Sequence, residues 1–106
     1  MKYIIRENRI PKLISKYIFM TYGELNQVYD RDSNKIEWFR KDENPNETYG
    51  LFELNASGTL FVPNQFKRTI GDLFGFEYQR ELDNAIKECW DYMFGVYPNR
   101  VNIYFT

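Results

Sequence analysis

Few residues of this sequence could do chemistry, and the residue types it lacks narrow its function. The 106 residues include one cysteine and no histidine. Without histidine the chain offers neither a Ser-His nor a Cys-His nucleophile pair, and no histidine-ligated metal site. Reactive thiolates lie at helix N-termini or beside cations, whereas Cys89 falls inside a predicted helix next to Glu88. We therefore expect Cys89 to be a buried structural thiol.

Paired carboxylates are the remaining catalytic candidates. Acid-base hydrolysis by two carboxylates needs a cleft that separates their pKa values, and no sequence pattern indicates one. Residues 30–34 resemble the start of a calcium loop, but Lys35 and Lys41 stand where that loop has glycine and glutamate. The six glycines form neither a phosphate-binding loop nor a dinucleotide fingerprint. We therefore predict a protein that is not an enzyme and holds no metal or cofactor.

Charged residues are divided unevenly along the chain. Residues 1–41 carry 9 basic and 5 acidic side chains, whereas residues 42–106 carry 5 basic and 10 acidic ones. The net charge of −1 therefore conceals a basic and an acidic segment. So small a net charge gives no global field that favours nucleic acid or an anionic membrane. Electrostatic binding would have to use a local patch.

Helical spacing produces two such patches. Arg9, Lys12 and Lys16 recur at three- and four-residue intervals, which places them on one face of a predicted helix. Glu81 and Glu88 belong to an acidic stripe opposite the apolar stripe of the last predicted helix. Two interpretations stay open. The patches are either ordinary solvated helix faces, or a basic patch and an acidic ridge that bind partners of opposite charge.

Aromatic side chains are the second unusual feature, with 9 Tyr, 9 Phe and 2 Trp. The strand predicted at residues 36–41 places Trp38 and Arg40 on one face and Phe39 and Lys41 on the other. If helices cover only one face of the sheet, they bury only one of Trp38 and Phe39. We therefore expect the other ring to be exposed, or to be covered by another segment of the chain. Exposed aromatic and arginine side chains are typical of binding hot spots, and next to Arg40 and Lys41 they could stack on nucleic-acid bases. The alternative is that the aromatic residues only fill the core.

Apolar periodicity and turn residues predict the elements that position these side chains. Helices are expected at residues 10–22, 64–74 and 77–94, and strands at residues 2–6, 24–30, 36–41, 49–54, 59–62 and 101–105. In the first helix the apolar stripe is Ile10, Leu13, Ile14, Tyr17, Ile18 and Thr21. The order β-α-β-β-β-β-α-α-β favours an α+β fold, with a mainly antiparallel sheet of four to six strands and about three helices on one face. The length fits one domain, residues 1–106.

The location of the protein is predicted from what the sequence lacks. The apolar run near the N-terminus is too short for the core of a signal peptide, and no stretch is long enough to span a membrane. The single cysteine fits a reducing compartment. We therefore expect a cytoplasmic protein that does not associate with membranes.

Two short motifs resemble those of small proteins from tailed phages. Residues 1–7 (MKYIIRE), followed by an amphipathic helix, are similar to a recurrent start among such proteins. Residues 73–76 (LFGF), leading into a helix with Leu82, Ile86 and Trp90, are similar to the C-terminal half of some of them. The resemblance covers about half of the chain. It implies a viral or mobile-element source, and no functional residue is carried over from it.

Three hypotheses on function follow. The preferred one is a non-enzymatic protein that binds a host or phage protein, such as a phage-encoded inhibitor of a host defence nuclease of the anti-CRISPR type. The second is a nucleic-acid-binding accessory protein that uses the basic N-terminal segment, with Trp38 or Phe39 stacking on bases. The third is a virion or assembly component. None of them fixes the oligomeric state, although the third requires self-association.

Overall fold

The structure, a computed structural model, describes residues 9–75 and 79–104 and contains three helices and five strands within those ranges. The helices are α1 (Ile10–Tyr22), α2 (Asn64–Phe74) and α3 (Gln79–Phe94). The strands are β1 (Leu25–Asp30), β2 (Lys35–Arg40), β3 (Phe52–Leu54), β4 (Thr59–Val62) and β5 (Arg100–Ile103). These elements confirm the α+β prediction. The strand predicted at residues 2–6 and the first two residues of the helix predicted at 77–94 lie outside the described residues.

The five strands form one mixed sheet in the order β1-β2-β3-β4-β5. The first three neighbouring pairs are antiparallel, as hairpin connections require, and β4 pairs with β5 in parallel. The parallel pair follows from the connection, because α2 and α3 return the chain to the end of the sheet at which β4 began. The prediction of a mainly antiparallel sheet is confirmed.

Local signals explain where the helices begin and end. Pro11 occupies the first turn of α1, where its missing N–H costs nothing. Pro63, in an extended conformation, directly precedes α2. Gly75 ends α2 with a φ of 67°, a left-handed conformation that favours glycine. The predicted bounds of α1 and α2 are therefore confirmed.

A glycine turn ties β5 to the hairpin of β3 and β4. Gly58 has a φ of +86°, and its carbonyl oxygen accepts the backbone N–H of Asn99 at 2.7 Å. A Cβ atom at Gly58 would collide with the side-chain amide of Asn99. The turn therefore needs glycine both for its backbone conformation and for the close approach of the chain that enters β5.

All three helices pack against the same face of the sheet and share one apolar core with it. Aromatic rings dominate this core. The ring centroid of Phe52 lies 4.8 Å from that of Trp90 and 5.2 Å from that of Phe66. The rings of Trp38 and Trp90 pack edge to face, with their centroids 5.8 Å apart. The Trp90 Nε1–H is buried without a hydrogen-bond acceptor among the described residues. Much of the aromatic surplus is therefore core material.

Some residues assigned to apolar stripes lie outside this core. Leu13 and Thr21 of α1 are exposed. Ile14 and Ile18 fix the buried direction of α1, and Leu13 lies about 100° around the helix from Ile14. The apolar stripe predicted for α1 is therefore too wide.

Candidate functional site

Trp38 and Phe39 of β2 are both buried, with 0% and 2% of their surface exposed, so the alternative in which another segment covers one of them applies and neither ring is exposed. Trp38 belongs to the helix-side core, and its Nε1–H donates to Gln27 Oε1 at 3.2 Å. Phe39 points to the opposite face. That face is not bare, because the segment after β2 packs back against it and the Gly50 N–H donates to Glu37 Oε2 at 2.8 Å. Neither ring is available to a partner.

Arg40 and Lys41 are exposed at the end of β2, and both already have partners within the chain. The Arg40 guanidinium lies 5.3 Å from the ring centroid of Tyr22, and Lys41 Nζ lies 3.5 Å from Glu24 Oε2. Such exposed contacts are weak and leave both cations accessible. The predicted cluster of aromatic and basic side chains on β2 does not form, because its two aromatic members are buried.

The basic patch on α1 has the predicted geometry. Arg9, Lys12 and Lys16 are all exposed on one side of the helix. Among the described residues, no carboxylate lies within 4.0 Å of their cationic groups. The ammonium of Lys12 lies 6.0 Å from the ring centroid of Tyr92 on α3. The three positive charges therefore face solvent without a neutralising partner in this part of the chain.

Apolar side chains that the sequence analysis missed lie on the same side of α1. Phe19 is 63% exposed and Met20 is 79% exposed. Phe19 follows Lys12 by two helical turns, and Met20 follows Lys16 by one, so these positions share one face. We call this surface the outward face of α1, and it consists of Arg9, Lys12, Leu13, Lys16, Phe19 and Met20. A helical projection centred on the lysines would have found the two apolar residues.

The acidic stripe of α3 borders this face. Glu81 and Glu88 are exposed, as predicted. Tyr92 lies one turn beyond Glu88 on the same side of α3 and contacts Lys12 across the packed pair of helices. Tyr92 therefore marks the border between the basic outward face of α1 and the acidic stripe of α3.

Cys89 is fully buried in α3, which confirms the prediction of a structural thiol. Burial raises the pKa of the thiol to about 12. Its Sγ lies 3.6 Å from the sulfur of Met93. A thiol in this environment stays protonated and does not act as a nucleophile at neutral pH.

Comparison with known protein families, with curated proteins and with solved structures finds no match to this chain. Within residues 9–75 and 79–104, no three side chains that could ligate a metal lie together. None of the helices in those ranges has the length and apolar content of a membrane span. A functional assignment must therefore rest on the chain's own surfaces.

Proposed function

We propose that this chain is a small non-enzymatic protein whose work is to bind another protein through the outward face of α1. The observation that carries the proposal is the exposure of Phe19 and Met20 at 63% and 79% within a set of three basic side chains. Aromatic residues, methionine and arginine are enriched in protein interfaces, where an apolar centre is surrounded by a polar rim.

The composition of the face favours a protein partner over simple solvation. Single exposed apolar residues are common on soluble proteins. Here Leu13, Phe19 and Met20 lie within about two helical turns on one side of α1, and exposed apolar side chains grouped within a charged rim are typical of interaction sites. Because the surrounding charges are positive, the complementary surface is an apolar pocket with an acidic rim.

The specific form of this proposal is a phage or mobile-element inhibitor of a host defence nuclease, of the anti-CRISPR type. Its support is the chain's lack of a histidine and of a reactive thiol, together with the acidic stripe of α3. Nucleases hold nucleic acid in basic grooves, and Glu81 and Glu88 lie next to the outward face of α1. A cleavage assay tests this form: the purified chain should suppress cleavage of a DNA substrate by the host nuclease, and Glu81→Gln with Glu88→Gln should relieve the suppression.

Capture from host lysate tests the broader proposal. The wild-type chain and the variant Phe19→Gln/Met20→Gln are immobilised and compared. Leu73→Gln is the matched control, because Leu73 is also an exposed apolar residue on a helix. We expect the wild type and Leu73→Gln to retain the same partner and the double variant to lose it. A partner retained by the double variant, or the absence of any partner, contradicts the proposal.

Nucleic-acid binding is the second candidate function, favoured by the charges of Arg9, Lys12 and Lys16, which form no ion pair with a carboxylate of the described residues. Trp38 and Phe39 cannot stack on bases because both are buried, so Phe19 would have to do so. Three phosphate contacts predict a slope of about −3 for the logarithm of affinity against the logarithm of salt concentration. A mobility-shift experiment at low salt that shows no retardation of single- or double-stranded DNA or RNA excludes this function.

A further inference from the structure

An open groove of about 700 Å³ lies beside β3, where the outer face of the sheet, the face opposite the helices, meets the first turn of α2. The segment between β2 and β3 forms one side of it, and the first turn of α2 forms the other. Its lining residues are Glu43, Tyr49, Gly50, Leu51, Glu53, Pro63, Asn64, Gln65 and Tyr104. The volume lies in the usual range for ligand-binding clefts, and aromatic and aliphatic walls with a few polar groups are typical of them. None of these residues belongs to the outward face of α1.

Cross-strand pairs hold the floor of the groove in place. Glu53 of β3 pairs with Glu37 of β2 and with Phe61 of β4, so the three side chains share the outer face. Lys35 Nζ bridges the two carboxylates at 3.2 Å and 3.3 Å. The ring of Tyr104 stacks on Phe61 with a centroid distance of 5.7 Å. The groove is therefore built on paired strands rather than on a loop alone.

The charges around the groove favour a cation. Glu37, Glu43 and Glu53 contribute three carboxylates, and among the described residues the only cationic group paired with any of them is the ammonium of Lys35. The Glu43 carboxylate accepts the backbone N–H of Arg40 at 3.3 Å, and no cationic side chain of the described residues pairs with it. Burial, with the nearby carboxylates of Glu53 and Glu37, raises the pKa of Tyr104, which stays a neutral phenol.

Two aromatic rings complete the lining. Tyr49 is 89% exposed at the rim, and Tyr104 is half-buried in the groove. Aromatic faces attract ammonium and guanidinium groups. Long basic side chains bury their aliphatic stems and keep the charged end at a polar site. Apolar walls, tyrosine rings and an excess of carboxylates over cationic groups among the described residues together match such a side chain.

We propose that the groove binds a lysine or arginine side chain presented by an extended segment of a partner protein. The aliphatic stem packs on Leu51 and Tyr104, and the cationic end lies near Glu43 and Glu53. The side-chain amides of Asn64 and Gln65 form no hydrogen bond with other described residues. They are free to bind the backbone of that segment. A partner can bind this groove without binding α1, because α1 packs on the other face of the sheet.

An NMR titration of the isotope-labelled chain tests the proposal. The probe is the acetylated and amidated tripeptide Gly-Lys-Gly, and its matched control replaces lysine by norleucine, which keeps the stem and removes the charge. We expect millimolar binding of the lysine peptide, with amide shifts confined to Gly50, Leu51, Glu53 and Tyr104. Tyr49→Ala should weaken this binding about two- to fivefold, the effect of one exposed cation–π contact. Glu43→Gln should also weaken it, and Asp91→Asn, which changes an exposed carboxylate of α3 on the helix side of the sheet, should not.

Each other outcome overturns the proposal. Equal binding of the norleucine peptide means that the groove is only apolar. Tighter binding of Gly-Glu-Gly makes it an anion site, and tighter binding of choline assigns it to a small quaternary ammonium ligand. Shifts that are absent at millimolar peptide, or unchanged by Tyr49→Ala and Glu43→Gln in folded protein, also reject it. Failure here leaves the docking surface on α1 untouched, because the capture experiment uses different residues.

Discussion

Replacement of Phe19 and Met20 by glutamine separates binding from folding. Both side chains are mostly exposed on α1, so they contribute little to the core. Surface substitutions of this kind change stability by about 0.5 kcal/mol or less. Glutamine also has at least as good a helix propensity as phenylalanine, so α1 should persist. The double variant should therefore fold like the wild type.

The expected loss of affinity follows from the exposed area. A phenylalanine or methionine side chain offers roughly 200 Å², so exposures of 63% and 79% leave roughly 280 Å² for a partner to cover. At about 25 cal/mol per Å² this area is worth at most about 7 kcal/mol. The loss of translational, rotational and side-chain freedom on association offsets much of that gain. A loss of about 2 kcal/mol, the threshold for a binding hot spot, corresponds to roughly 30-fold in Kd.

Calorimetric titration with the captured partner measures this loss, and urea denaturation measures stability. Leu73→Gln serves again as the control, with affinity and stability both close to the wild type. A double variant that binds within about threefold of the wild type would refute the role of this face. A double variant that unfolds more easily by about 2 kcal/mol would show that the two side chains serve the fold instead.

The remaining predictions concern the fold. Gly58→Ala should lower the free energy of unfolding by about 1–2 kcal/mol, because residue 58 has a positive φ and the new Cβ would collide with Asn99. An unchanged midpoint of urea denaturation would count against the role of this turn. Phe52→Ala should lower the free energy of unfolding by about 3–5 kcal/mol, because it leaves a cavity at the centre of the aromatic core. A decrease below about 1 kcal/mol would contradict this packing. The pKa of Cys89 is raised from 9.0 to about 12, so the thiol ionises in the unfolded chain first. The free energy of unfolding should fall as the pH rises between these values, and an equally steep fall in Cys89→Ala would contradict this assignment.

Local signals were sufficient to predict most elements. Pro11, Pro63 and Gly75 lie at the helix ends, and residues 55–58 form the turn between β3 and β4. These residues act through backbone conformation within a few positions of themselves, so they can be interpreted without the rest of the chain. The strand predicted at 49–54 is shorter, because residues 49–51 belong to the segment that packs against Glu37.

Burial depended on contacts between distant segments and was predicted less well. The burial of Phe39 depends on how the chain covers the outer face, which alternation along β2 does not encode. The exposure of Phe19 depends on which side of α1 meets the sheet. Likewise, Tyr49 and Tyr104 line one groove although they lie far apart in the sequence. Such contacts arise from tertiary packing, which overrides local pattern.

Photo-crosslinking from the outward face of α1 determines whether a partner protein binds there. A photoreactive amino acid at position 20 is compared with the same amino acid at position 73, and both chains are irradiated in host lysate. We expect one crosslinked protein from position 20 and none from position 73. A crosslink from position 73 alone, or none from either position, would contradict the assignment of this face as the docking surface.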